Sequence, residues 1–186
     1  GPDAAEAGGG VALPGRPRGT AALPAAAIVS GNGGSGEPRL AEVLALVRSA
    51  TPLNIESKVP GGVAAAAWAL ADARYPGPVL ISSELREECL AARALLPGLP
   101  CGLITRRPSA SDLAFCLRRG LSSIHPDHRL LTVLRLRKAL SSGIPLLPYT
   151  VDDPETAFRL IEAGAAGVFS NRAQSLREAW RRRSPG

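Results

Sequence analysis

The chain has no methionine, two histidines, three cysteines and an aromatic content of only 4%. Each scarcity excludes something. Cys89, Cys101 and Cys116 are odd in number, far apart and set among apolar neighbours, so neither a disulfide framework nor a zinc site is expected. Buried free thiols in a reducing cytoplasm fit this pattern. No apolar run is long enough to span a bilayer, and no leader peptide with a charged start and apolar middle opens the chain. Gly1-Pro2 stand where an initiating methionine would, which reads as a processing scar on a piece of something longer. Lysine is scarce as well: Lys58 and Lys138 are the only two among 22 basic residues. The net charge of +6 is therefore mostly an arginine charge. Apart from Arg181-Arg182-Arg183 the arginines are scattered singly or in pairs, with no aromatics interleaved, so nucleic acid is not an expected partner.

What is present is an Ala- and Leu-rich chain, 45% hydrophobic, of 186 residues, enough for one domain with a real core. Residues 1–37 are rich in Gly, Pro and Ala, weakly patterned, and expected to be flexible. Within them, Gly31 to Gly36 is glycine-rich, but no Gly-Lys-Ser/Thr follows to make a phosphate loop. From Pro38, which suits a first helical position, to residue 183 the pattern alternates. Strand-like segments at 52–58, 78–83, 100–105, 121–125, 144–151 and 166–170 each precede a helix-like one. Ser109 and Asp112 form a capping box, Gly120 a helix end, and Asp153-Pro154 a helix start. Trp68 is read as a packing residue. Six β-then-α units predict a parallel sheet with right-handed crossovers, either open or part of a closed barrel. No G-x-G-x-x-G follows any strand, which argues against a dinucleotide site.

The most unusual stretch is Thr51 to Val59. Leu53, Ile55 and Ser57 alternate with Asn54, Glu56 and Lys58, the period of a strand. One side thus carries an amide, a carboxylate and an ammonium in a row, although charge is depleted from strands. Glu56 and Lys58 project the same way, about 7 Å apart. That suits a carboxylate on a divalent cation and an ammonium on an anionic oxygen. It equally suits a solvated Glu–Lys pair on an edge strand, and spacing alone favours this simpler reading.

Taken in order, the strand ends resemble the glycerophosphodiester phosphodiesterase family, a group of TIM barrels. Pro38-Arg39-Leu40-Ala41-Glu42-Val43-Leu44 is similar to its P-T-L-x-E-V-L helix, and Leu53-Asn54-Ile55-Glu56-Ser57-Lys58 to its L-N-I-E-I-K third strand. Leu80-Ile81-Ser82-Ser83 is similar to the fourth strand, which ends S-S-F, with Glu84 in place of the Phe. Tyr149-Thr150-Val151-Asp152 resembles the W-T-V-N seventh strand, and Gly164 to Asn171 the closing G-V-D-G-I-F-T-D. The resemblance implies an α/β fold, an incomplete TIM-barrel-like arrangement of about six parallel β/α units over residues 38–183.

It also implies a function and its gaps. The family hydrolyses a glycerophosphodiester to glycerol 3-phosphate and an alcohol, with Ca²⁺ or Mg²⁺. By this resemblance Glu56 is a metal ligand, Lys58 lies beside the phosphate, and Tyr149 walls the glycerol pocket. Ser83 is a pocket residue or a helix cap. The family's H-R-G, E-x-D and H-D motifs, which carry the catalytic histidine pair and two metal carboxylates, are absent. No catalytic residue is therefore expected in this chain. A divalent cation is expected only if the missing carboxylates come from elsewhere, since a hard cation takes several oxygens. His125 is read as a loop cap, with Asp127 and His128 solvated. The expectation is a phosphodiesterase-like chain inactive alone, which binds a small glycerophosphodiester and associates with itself or a missing N-terminal half. The alternative is a non-catalytic pseudoenzyme or interaction module on the same fold.

Overall fold

The computed structural model describes residues 9–10, 26–29, 39–47 and 52–183. Strands β1 (Gly9–Gly10), β2 (Ala26–Val29), β3 (Leu53–Ser57), β4 (Val79–Ser83), β5 (Cys101–Thr105) and β6 (Ser123–Pro126) form one sheet in sequence order. The β1–β2 pair is antiparallel and every later pair is parallel. Helices α1 (Leu40–Leu46), α2 (Gly62–Asp72), α3 (Arg86–Leu95), α4 (Ala110–Arg119), α5 (Val133–Ser141), α6 (Pro154–Glu162) and α7 (Ala173–Arg183) fill the connections. This is an α/β, incomplete barrel-like fold. Two short strands lie in the segment 1–37, and β2 pairs with β3, so that residues of this segment cover the β3 edge. Gly31 to Pro38 lie outside the described residues, and α1 begins two positions after Pro38.

The last two β/α units are held differently from the first four. Residues 144–149 follow β6 in parallel through bridges at Ile124–Leu146 and Asp127–Tyr149. Pro145 and Pro148 have no N–H to give, which interrupts a ladder. Their carbonyls still accept, from Ile124 N–H and Phe169 N–H at 2.9 and 2.8 Å. Ala166 N–H donates to Leu146 O, and Val151 N–H to Phe169 O, which extends the sheet one segment further.

Side chains alternate across this sheet. Leu53, Ile55, Val79, Ile81, Cys101, Leu103 and Ile124 project towards the helices and form one buried cluster with Val63, Leu70, Cys89, Leu113 and Cys116. Each such aliphatic group contributes roughly 1.5–3 kcal/mol on burial. All three cysteines are free and buried. A second cluster around Val151, Phe158, Ile161 and Leu176 sits under α6 and α7, and Leu131 and Leu136 touch both. Trp68 is not part of either: it is 79% exposed, because the buried stripe of α2 is Val63, Ala66 and Leu70 and residue 68 points away from it.

The local signals set the helix ends. Ser109 Oγ accepts from Asp112 N–H at 3.1 Å, and Asp112 accepts in return from Ser109 N–H. Gly120 ends α4 in the left-handed region, where a side chain would be strained. Asp153 accepts from Thr156 N–H, with Pro154 at the first helical position.

One helix start is capped from a distance. Gly61 (φ +82°) begins α2 with no side-chain cap of its own. Glu88, buried on α3, supplies the acceptor: its carboxylate takes Gly61 N–H and Val63 N–H at 2.7 Å each and Ser57 O–H at 2.9 Å. Burial alone would raise its pKa, but the bonds from Val63, Gly61 and Ser57 more than reverse that, and the carboxyl lies below its ordinary value. Since the folded form holds the proton less tightly, Glu88 stabilises the fold above pH 4.5 and the stabilisation fades as pH falls through the lowered value. Glu88→Ala leaves three donors without a charged acceptor and should cost roughly 3 kcal/mol at neutral pH, read by urea denaturation. The wild type and the variant should converge on acidification; an unchanged gap down to acid pH would refute the assignment.

Candidate active site

The opposite face of the sheet is polar. Register pairs Glu56 with Ser82, Ser82 with Gly102, and Ile104 with His125, so these residues project to one side together with Asn54. At the C-terminal ends of the strands this face opens into a cavity of about 140 Å³ lined by Asn54, Glu56, Glu84, Ile104, His125, Tyr149, Thr150 and Phe169. This is the rim on which β/α barrels build their sites.

The floor is held by short hydrogen bonds. Ser82 O–H donates to Asn54 Oδ1 at 3.0 Å, and Asn54 lines the cavity. Ser123 Oγ bonds His125 Nε2 at 2.8 Å. The His125 ring leans on Phe169, centroids 4.9 Å apart. Room for it comes from Gly102: a Cβ there would run into the His125 ring and Ser123 Oγ. Burial pushes the His125 pKa down to about 3, so the imidazole is neutral at physiological pH.

The walls carry charge. Glu56 is half-buried, with Lys58 Nζ 4.0 Å from its Oε1. Burial pushes the Glu56 pKa up, Lys58 draws it down and Glu84 adds to the rise, for a net upward shift. Tyr149 is raised by burial and by the carboxylates of Glu84, Asp127 and Glu56, against a downward pull from Arg106. The cavity is thus a place of excess negative charge.

Of the residues singled out in the sequence, Glu56 and Tyr149 share the cavity wall. Lys58 stands just outside it, half-exposed, beyond the end of β3. Ser83 points the other way: fully buried, its hydroxyl donates to Ser57 O at 2.6 Å and accepts from Leu85 N–H at 3.0 Å. His125 is no loop cap but part of β6, because alternation turns it inward with Ser123. Asp127 is not solvated either. It is buried, bonded twice by the Arg129 guanidinium at 3.0 and 2.7 Å, and accepts Arg129 N–H as the cap of a short 3₁₀ turn. His128 is half-buried, its Nδ1 3.2 Å from Tyr149 O. Asp152 ties the last two segments together through Ser170 O–H and Asn171 N–H.

Glu84 and Gly102 carry no expectation from the sequence as site residues, whereas Asn54 is expected in the polar row of its strand and His125 among the polar strand ends that converge on one rim. For Asn54 and His125 the signal existed: each shares the strand alternation of a polar neighbour two residues away. Gly102 carried none, since its role depends on the adjacent strand.

The described residues do not make up a metal centre by themselves. Glu56 and Glu84 are the carboxylates at the cavity, and among the described residues no three His, Cys, Asp or Glu side chains gather to hold an ion.

Residues 38–175 match the sequence model of the glycerophosphoryl diester phosphodiesterase family. The chain belongs to this family. It is 31% identical over 103 residues to a glycerophosphodiester phosphodiesterase of Bacillus subtilis, which covers 52% of this chain and 34% of that protein. A second, from Caldanaerobacter subterraneus subsp. tengcongensis, is 28% identical over 145 residues, or 75% of this chain and 60% of that one. The chain therefore spans between a third and three fifths of these relatives. Among solved structures, an Oleispira antarctica phosphodiesterase in complex with the product sn-glycerol-3-phosphate superposes with a TM-score of 0.70 at 22% identity, over 77% of this chain and 61% of that one. A glycerophosphodiester phosphodiesterase of Parabacteroides distasonis gives 0.65 at 13% identity, over 79% and 65%. At these identities the likeness is one of fold.

The buried histidine of this family member makes stability depend on pH. In the unfolded chain it titrates near 6.5, in the fold near 3, so folding is favoured fully above 6.5 and progressively less as pH falls towards 3. His125→Gln should flatten the stability profile between pH 6.5 and 4.5, a window above the titration of Glu88. Gly102→Ala should destabilise by about 1–3 kcal/mol, and by less once Ser123 and His125 are both alanine. An equal loss in both backgrounds, measured by denaturation, would disprove the contact.

Proposed function

We propose that this chain is the substrate-holding part of a glycerophosphodiester phosphodiesterase, whose reaction is hydrolysis to glycerol 3-phosphate and an alcohol. The observation that carries this reading is the meeting of Glu56 and Tyr149 on one cavity at the strand ends, with Lys58 at its edge, in a chain of this family. Lys58 supplies a cation for a phosphate oxygen, where charge develops in the transition state. Tyr149 walls the glycerol end. The Asn54 amide donates to a substrate oxygen, and neutral His125 offers a hydrogen bond without adding charge. Ser83 acts at one remove, holding the ends of β3 and β4 together. Glu56 serves as one ligand of a divalent cation, Ca²⁺ or Mg²⁺, whose other carboxylates come from outside the described residues.

The missing chemistry is proton transfer. A phosphodiester needs a positioned base for the nucleophile and a positioned acid for the leaving oxygen. The one histidine on the cavity is buried and held neutral far below its ordinary value. This favours the second reading as well, a pseudoenzyme that binds without turning over. The two part company when the missing wall is supplied, by a preceding segment or by another chain through self-association. Free, buried thiols support a cytoplasmic location, and the family's substrate class supports a role in the turnover of lipid head groups.

Alone, the chain should release no measurable glycerol 3-phosphate from glycerophosphocholine in a coupled assay with Ca²⁺ or Mg²⁺. Joined to the first two β/α units of a family relative, it should turn over. In that form Glu56→Gln and Lys58→Ala should each lower kcat/KM by roughly 10²-fold or more, the first with loss of metal binding and the second without it. Turnover by the bare chain, abolished by Glu56→Gln, would show the catalytic groups to lie elsewhere. Binding without turnover in the joined form would establish the pseudoenzyme.

A further inference from the structure

The outer surface around α5 is not explained by the cavity. Its inward stripe is ordinary: Ala139 is buried, and Leu136 and Leu140 pack against the core. The outward side is not. Val133 and Leu134 in the first turn are 68% and 77% exposed. One turn on, four residues later, come Arg137 and Lys138, both exposed. Among the described residues neither Arg137 nor Lys138 has an ion pair. Between Leu113 and Val151 the single acid is Asp127, and Arg129 neutralises it. This surface is therefore cationic without compensation and carries bare aliphatic side chains.

We propose that the outward face of α5 docks on an anionic lipid bilayer, with Val133 and Leu134 entering the head-group layer. Basic residues near an anionic membrane surface each add about fivefold to partitioning, and a small apolar contact adds affinity that a polar polyanion cannot provide. The aliphatic pair thus distinguishes a membrane from nucleic acid, whose phosphates would engage the cations and leave Val133 and Leu134 without a role. A second copy of the chain is disfavoured by charge, since it would set the same cations against each other. The position is also suited to lipid-derived molecules. The turn before α5 is tied to the cavity wall, His128 N–H donating to Tyr149 O at 2.8 Å. Docking through the start of α5 would turn the cavity mouth towards the bilayer. The proposal does not depend on catalysis by this chain.

Vesicle co-sedimentation tests it with the whole chain. Vesicles of phosphatidylcholine and phosphatidylglycerol in equal parts should bind it, pure phosphatidylcholine should not, and added salt should weaken the binding steeply. Val133→Ser/Leu134→Ser, which changes no charge, should lower partitioning about tenfold or more, and Arg137→Glu/Lys138→Glu by a larger factor. All four positions are exposed, and unchanged circular dichroism will show that the variants fold. Arg181→Glu/Arg182→Glu, the same change of charge on α7, should leave binding within about twofold. The proposal fails if mixed vesicles do not bind, or if the serine pair binds like the wild type. It fails equally if the α7 pair loses as much as the α5 pair, which would reduce the effect to net charge. Duplex DNA that binds the wild type and the serine pair alike, at vesicle-like affinity, would make this a nucleic-acid surface and overturn it too.

Discussion

The Glu88 carboxylate holds the corner on which the site rests. It gathers Ser57 at the end of β3, Gly61 in the turn and Val63 at the start of α2, three groups within one short stretch of chain. The buried Val63 N–H at this helix start would otherwise have no acceptor, a loss comparable to the hydrogen bond itself. With that corner held, β3 ends at Ser57, Lys58 emerges beyond it, and Glu56 stays on the cavity side. Ser83 secures the same corner from β4, taking Ser57 O and capping Leu85 N–H. A buried carboxylate and a buried hydroxyl, neither facing the cavity, thus set the position of the residues that do.

The sheet separates two tasks by its pleat. One face is aliphatic and sulfur-bearing and packs under the helices; the other carries amide, hydroxyl, carboxylate and imidazole groups. Polar groups on the inner face are tolerated because they satisfy one another, Ser82 with Asn54 and Ser123 with His125, and because a glycine leaves room for the imidazole. No buried side-chain nitrogen or oxygen among the described residues lacks a partner. What remains available, the charged walls, faces the opening. A binding surface results from the groups left over after the interior has been satisfied.

Much of this was legible from residue order. Period-2 runs located the first strands and capping residues the helix ends within a few positions, and Ser109, Gly120 and Asp153 behave as their chemistry dictates. Readings that depended on a single side chain fared worse. Trp68 was expected to pack and is exposed, because an alanine-rich helix offers no strong periodicity to say which face is inward. Asp127 was expected to be solvated and is buried, because the arginine that neutralises it sits two residues on in a short 3₁₀ turn that the sequence pattern does not show. The prolines at 145 and 148 were visible, yet their effect, a segment held by bridges in place of a ladder, depends on neighbours on both sides.

The sequence by itself determined the alternation of strand and helix, the inward aliphatic positions, and the family to which residues 38–175 belong, since these are properties of short-range pattern. It also placed Glu56 and Lys58 on one side of one strand. Only the tertiary structure decided that Glu56 meets Glu84, His125 and Tyr149 across four segments, and that Glu88 caps a helix to which it is not local. These are contacts between groups 25 to 31 residues apart in the Glu88 cluster alone. Strand register brings such groups together, and register is a property of pairs of strands, which no single stretch of chain contains.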